Sequence, residues 1–161
     1  ITSSGTPVLT ATRVGPTYGV YAGTRTRGPA TPMKYQVEFT ITSFLNGLFG
    51  IDDGTRALDV SHDGGGLINL FKSGWHNPAG TAIGAVADGD VYTFQVDRTA
   101  LTYALIRTRS GTTTTLRTGT IGSAPNHHSF VVFNDAGEVV VNNGQNAWTV
   151  PLPSGYLGYA G

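Results

Sequence analysis

Eight residues, KYQVEFTI from Lys34 to Ile41, constrain this chain more than any other stretch of it. Tyr35, Val37, Phe39 and Ile41 take alternate positions, and Lys34, Gln36, Glu38 and Thr40 fill the places between them. Side chains change face at every residue of a strand, whereas on a helix they recur every ~3.6 residues. The pattern therefore predicts a strand with one apolar face and one polar face, half buried, with Glu38 as a surface carboxylate. A lone strand is not stable, so the rest of the chain must supply partners.

It does so at regular intervals. LFGIDDG ends in Asp53-Gly54, ALDVSHDGG in Asp63-Gly64, and LINLFKSG in Gly74. TAIGAV leads through ADGD into VYTFQVD, where Tyr92, Phe94 and Val96 point inward. ALTYALIRTRSG turns at Ser110-Gly111 into TTTTLRTGTIG, and SFVVFN and EVVVNN bracket DAG as a tight hairpin. AWTVPLP closes the series as a strand whose prolines place it at an edge. With 23 Gly, 23 Thr, one Met, two Lys and two Glu, the residues favour strands and turns over helices. About ten such strands imply an antiparallel sandwich or barrel, all-β and single-domain. Residues 34–161 hold this pattern. Residues 1–33 lack a period and are expected to be an N-terminal strand and loop, or a connector.

The bulk numbers exclude several roles. Ten basic and ten acidic residues give no electrostatic case for nucleic acid or an anionic membrane surface. No apolar run approaches the ~18 residues of a membrane span, so no membrane insertion is expected. The absence of cysteine removes disulfides, zinc-thiolate sites and thiol nucleophiles. A start at Ile1 suggests a domain cut or processed from a longer protein.

Catalytic and metal chemistry find little support. Glu38 and Glu138 are far apart, and neither has a carboxylate two residues away, so the close pair a glycosidase needs is missing. Ser61, His62 and Asp63 are consecutive and would alternate faces in a strand, which no relay tolerates. His127 and His128 would also alternate if extended, so the four histidines do not converge by spacing into a zinc site, and no metal is assigned. Asp52-Asp53 and Asp88-x-Asp90 are candidate calcium ligands, better explained as turns. DGGGLIN lacks the Lys-Ser/Thr of a phosphate loop. Arg107 and Arg109 share a face, with Arg117 on the next strand, as a small basic stripe that reads as solvated sheet or as a contact for an acidic sugar. No cofactor is implied.

FKSGWHNPAG, residues 71–80, reads as a loop and holds one of only two tryptophans. An indole beside His76 and Asn77 has the parts of a sugar site: a ring to cover the apolar face of a pyranose, and polar groups for its hydroxyls. The competing reading is that Trp75 folds back and plugs one end of the sandwich. His127 and His128, after Pro125-Asn126, are expected on another loop, and Trp148 is expected as a strand residue in a core or subunit contact.

The segment AVADGDVYTFQVDRTALTYALIRTRSG, with Asp90, Asp97 and Gly111 at its turns, resembles the concanavalin A-like sandwich superfamily, including its SPRY-type and laminin-G-type branches. The likeness spans roughly residues 34–145 and rests on the order of strands and turns. It implies a jelly-roll sandwich in which Asp97 opens the turn between two neighbouring strands. The Thr- and Gly-rich, low-charge composition also resembles the tips of bacteriophage tail fibres. Together these likenesses imply a non-catalytic recognition domain that binds carbohydrate, such as a bacterial surface glycan. Its contacts would be Trp75, His76 and Asn77, with Asp63, His127 and His128 as further ligand-binding candidates. A fibre tip would be a homotrimer, on a virion or otherwise extracellular. The alternative the SPRY likeness implies is a structural or peptide-binding module, with a glycan-degrading enzyme behind both.

Overall fold

A computed structural model describes residues 8–12, 21–27, 33–44, 47–53, 68–77, 80–125, 127–133 and 136–158. Among them lie β1 (Val8–Thr12), β2 (Tyr21–Arg27), β3 (Lys34–Phe44), β4 (Gly47–Asp52), β5 (Ile68–Phe71), β6 (Trp75–Asn77) and β7 (Thr81–Ala82). They continue with β8 (Val91–Asp97), β9 (Thr102–Arg109), β10 (Thr112–Thr120), β11 (His127–Phe133), β12 (Ala136–Asn142) and β13 (Leu157–Gly158). The first sheet runs β1-β12-β3-β8-β9-β10, with β13 parallel to the start of β3. The second runs β2-β11-β4-β5-β6-β7. Two antiparallel sheets packed through a shared apolar core make an all-β sandwich, as the alternation predicts.

The core follows from the parity of the strands. Tyr35, Val37 and Phe39 of β3 are 0% exposed and Ile41 is 1% exposed. Tyr92, Phe94 and Val96 of β8 meet them from the next strand, and Phe49, Ile51, Ile68 and Leu70 meet them from the second sheet. Phe49 crosses the interface into an aromatic cluster, with ring centroids 5.4 Å from Phe39, 5.2 Å from Tyr92 and 6.4 Å from Phe94. Each such ring taken fully out of water contributes about 1.5–3 kcal/mol.

Local turn chemistry works as the residues demand. Asp97 Oδ1 accepts hydrogen bonds from the backbone N–H groups of Thr99 and Ala100 at 3.0 and 2.9 Å, so Asp97 does open the β8–β9 turn. Ser110 and Gly111 have φ of 49° and 77° and close β9 onto β10 with both central residues left-handed, the two-residue turn that suits strand twist.

Five expectations are corrected. β11 and β12 do not form a hairpin: β11 pairs with β2 and β4 in one sheet, while β12 pairs with β1 and β3 in the other. Each already has two ladder partners, so the chain changes sheet between them, and the spacing of DAG carries no sign of this. The AWTVPLP segment is not a strand; the last strand is β13, further on. Trp75–Asn77 is not a loop but the short strand β6, hydrogen-bonded between β5 and β7. His127 and His128 likewise open strand β11 rather than sitting on a loop. Finally, the middle of the polar side of β3 is not at the surface, because Gln36 is 0% exposed and Glu38 2%. Alternation assigns a face but does not reveal what covers it. The N-terminal strands β1 and β2 pair with β12 and β11, one in each sheet. The predicted strand ALDVSHDGG, with Asp63, lies outside the described residues.

Candidate functional site

The residue that organises the outer face of the first sheet is Glu38. Its Oε1 accepts hydrogen bonds from the backbone N–H groups of Thr149 (2.9 Å) and Val150 (3.0 Å) and from the Thr93 hydroxyl (3.2 Å). Its Oε2 accepts from Thr149 N at 3.1 Å and from Asn142 Nδ2 at 3.3 Å. A buried carboxylate is tolerated only when its lone pairs are filled, and these donors fill them. Gln36 Nε2 donates to the Val150 carbonyl at 2.8 Å, and Gln95 Nε2 donates to Gln36 Oε1 at 2.8 Å. The segment after β12 is thereby fastened across β3 and β8 as a third layer.

That layer stops short of β9 and β10. Beside it lies a shallow groove of about 440 Å³, lined by Gln95, Thr102, Ala104, Thr118, Thr120 and Tyr156 among others. Strand register explains the floor: Gln95 stands opposite Ala104, Ala104 opposite Thr118, and Thr102 opposite Thr120, so their side chains share the outer face. The wall is Tyr156, in a turn closed by its own N–H donating to the Pro153 carbonyl at 3.0 Å. The ammonium of Lys34 lies 6.0 Å from the Tyr156 ring centroid and 2.9 Å from Asp97 Oδ2. Lys34 is raised above the usual lysine range, by its hydrogen bond to Asp97 and that residue's charge. Among the described residues, no ionisable acid or base lines the groove apart from tyrosine phenols. Hydroxyls, an amide and one aromatic ring can hydrogen-bond and stack; they offer no nucleophile-base pair.

At the far end of β8 and β9, Asp90 anchors the 87–90 turn. Arg109 donates to both of its oxygens, Nε to Oδ1 at 2.7 Å and Nη2 to Oδ2 at 2.6 Å. Tyr92 and the Ala87 N–H also donate to Oδ2, at 3.1 and 2.9 Å. Burial pushes the Asp90 carboxyl up, but the hydrogen bonds from Arg109, Ala87 and Tyr92 outweigh it and hold the group below the usual carboxylate range. Burial, then the charge of Asp90, pushes the Tyr92 phenol well up. Asp88 pairs with Lys72 at 2.9 Å, so this acidic turn is satisfied by cations of the chain itself.

The residues predicted from sequence are dispersed. In β6, Trp75 stands opposite Ala82, His76 opposite Leu70 and Thr81, and Asn77 opposite Asn69. His127 and His128 stand opposite Asp52 and Ile51. Strands β4 and β5 separate β11 from β6, and the register also offsets them by about three residues along the strands, so the histidine pair lies more than about 14 Å from Trp75. Asp63 lies outside the described residues. The sequence reading missed Gln95, Thr102, Thr118, Thr120 and Tyr156. Thr118 and Thr120 carried a usable signal, two exposed hydroxyls at a spacing of two. Tyr156 carried none, because its position depends on Glu38, 118 positions earlier in the numbering of the chain.

No protein-family model matches the sequence, and no curated protein matches it. Solved structures do. The SPRY domain of human HERC1 superposes with a TM-score of 0.65 over 91% of this chain and 94% of that one, at 15% identity. A stonustoxin structure aligns with a TM-score of 0.49 over 76% of this chain and 21% of that one, at 12% identity. The chain therefore has the fold of a SPRY-type, concanavalin A-like β-sandwich.

Proposed function

We propose that this chain is a non-catalytic recognition domain whose ligand is a neutral, hydroxyl-rich carbohydrate held in the groove on the first sheet. One observation carries the reading: an open trough lined by threonine hydroxyls, a glutamine amide and the Tyr156 ring, with no acid-base pair in it among the described residues. A pyranose presents apolar C–H faces and a rim of hydroxyls, and those are the two surfaces such a trough complements. The SPRY-type fold supports a binding role on a stiff scaffold.

Within this proposal the composition directs the choice of ligand. Its likeness to phage fibre tips makes a bacterial surface glycan the first class to try, and a homotrimer the first assembly. Strand β6, with Trp75 and Asn77 in its sequence, is the second place to test for a sugar contact.

The test is a glycan array followed by titration of the best hit. Tyr156→Ala and Thr118→Val should each weaken binding about tenfold or more while leaving the melting temperature nearly unchanged. Trp75→Ala should leave binding intact; a loss there with Tyr156→Ala silent would move the site to β6 and refute the groove. A peptide ligand is the second reading, favoured by β10, which among the described residues ends the first sheet of a SPRY-type fold, where an extended peptide could add a strand. A blank array with a peptide library hit that broadens β10 amide signals would select it.

A further inference from the structure

The chain has few charges, and the described ones are mostly spoken for. Lys34 pairs with Asp97, Lys72 with Asp88 and Arg109 with Asp90. Arg117 donates to the Thr81 hydroxyl from Nε at 3.3 Å and Nη2 at 3.1 Å, and to the Leu116 carbonyl at 3.3 Å, none of them a carboxylate. Arg107 differs: the residue is half-buried, and among the described residues its guanidinium has neither a hydrogen-bond acceptor nor an ion-pair partner. None of its nitrogens is a buried atom lacking a partner, so its five donors reach solvent and stay open to an acceptor from outside the fold.

Its surroundings are ordered. Arg107 stands on β9 opposite Tyr92 and Thr114, two residues from Arg109, and Arg117 stands opposite Leu105, two residues the other way. All three arginines thus share the inward face of the first sheet, at its β9–β10 border. Residues 81–85 lie over them in sequence: Thr81 at Arg117, Gly84 at Arg107, and the Ala85 carbonyl, which accepts from Arg109 Nη2 at 2.8 Å. Above Arg107 the covering residue has no side chain, and a Cβ on Gly84 would stand 3.8 Å from Nη1. Asp90 compensates one of the three charges. Two remain uncompensated among the described residues, in a chain whose formal net charge is zero.

We propose that Arg107 and Arg117 form an oxyanion subsite at this border of the sandwich, taking the carboxylate or sulfate group of an acidic sugar. Arg109 positions the site from below, clamped by Asp90, and Thr81 holds the Arg117 fork in place. Guanidinium forks match such oxyanions in geometry and in charge. This subsite lies on the opposite face of β9 and β10 from the groove. Its oxyanion chemistry stands without the carbohydrate reading, while the sugar it would carry rests on that reading.

The test is an NMR titration of the intact chain with sodium sulfate and, separately, with glucuronate, at ionic strength held constant with sodium chloride. Saturable shifts should be confined to the amides of residues 81–85 and of Thr114. Arg107→Gln should weaken the binding at least about tenfold, Arg107→Lys should retain part of it, and Tyr156→Ala should leave it unchanged. Saturation by sulfate alone keeps the subsite and assigns it to sulfated sugars; saturation by glucuronate assigns it to carboxylated ones. Shifts that never saturate, that spread equally to Lys34 and Lys72, or that persist in Arg107→Gln overturn the proposal.

Discussion

Replacing Glu38 tests how the third layer is held. In Glu38→Ala the Val150 N–H, in a residue only 9% exposed, loses its acceptor. The Thr149 N–H loses both of its bonds to the carboxylate, but Thr149 is exposed and can turn to water. Asn142 Nδ2 keeps the Ala147 carbonyl at 3.1 Å, so it is not orphaned. The Thr93 hydroxyl, in a residue 0% exposed, loses its acceptor as well. Two buried donors left without a partner cost about 1–3 kcal/mol each, so the total should be about 3 kcal/mol or more. For a domain of this size that lowers the melting temperature by about 6–12 °C. Glu38→Gln should be milder, about 1–2 kcal/mol. Its carbonyl oxygen can still serve the three donors at Oε1, and only the Oε2 side meets a donor facing a donor. Urea unfolding measures the stabilities, and hydrogen exchange at the Val150 amide reports the layer itself. Equal losses for the two variants, or a Val150 amide as protected in Glu38→Ala as in the parent, would refute the reasoning.

Two further outcomes follow from other parts of the fold. Asp90 titrates below the usual carboxylate range in the folded chain, so as pH falls the unfolded chain takes up its proton first. Its contribution is therefore full above about pH 4 and is lost as pH drops through the folded value, and urea midpoints between pH 5 and 2 should fall less steeply in Asp90→Asn than in the parent. Gly74 has φ of 88° and a Cβ there would stand 2.3 Å from the Gly84 carbonyl oxygen, whereas Gly111, at φ 77°, has open space around it. Gly74→Ala should thus cost about 3 kcal/mol or more and Gly111→Ala about 1–2 kcal/mol, and equal melting-temperature losses would count against the contact.

What could be read from the sequence was whatever depends on neighbours in the chain. Tyr35, Val37, Phe39 and Ile41 declared the core by alternation, Asp97 and Ser110-Gly111 declared their turns, and Arg107 and Arg109 declared a shared face. What could not be read depends on distant segments. Nothing near Glu38 says that residues 149 and 150 will cover it. Nothing in SFVVFN and EVVVNN says that β2 and β4 claim the one and β1 and β3 the other. Trp75 misled for a related reason: Gly74, Asn77 and Gly80 are turn-forming residues, but a strand only three residues long fits between them once β5 and β7 lend it hydrogen bonds.

The third layer also decides which part of this fold can meet a ligand. An eleven-residue strand such as β3, with polar residues on its outer side, would ordinarily offer that side to solvent. Here Gln36, Glu38, Thr93 and Asn142 are buried because a later segment spends its backbone donors and a carbonyl on them. Their polar atoms are consequently used up within the chain and are lost to recognition. The outer positions of β9 and β10 bear hydroxyls, and among the described residues Thr108 and Thr113 answer one another, at 2.9 Å. The same segment that closes one half of the sheet places Tyr156 as a wall beside the other half. Burial of Glu38 and exposure of the threonine groove are therefore two consequences of one event, the docking of residues 146–156 against the first sheet.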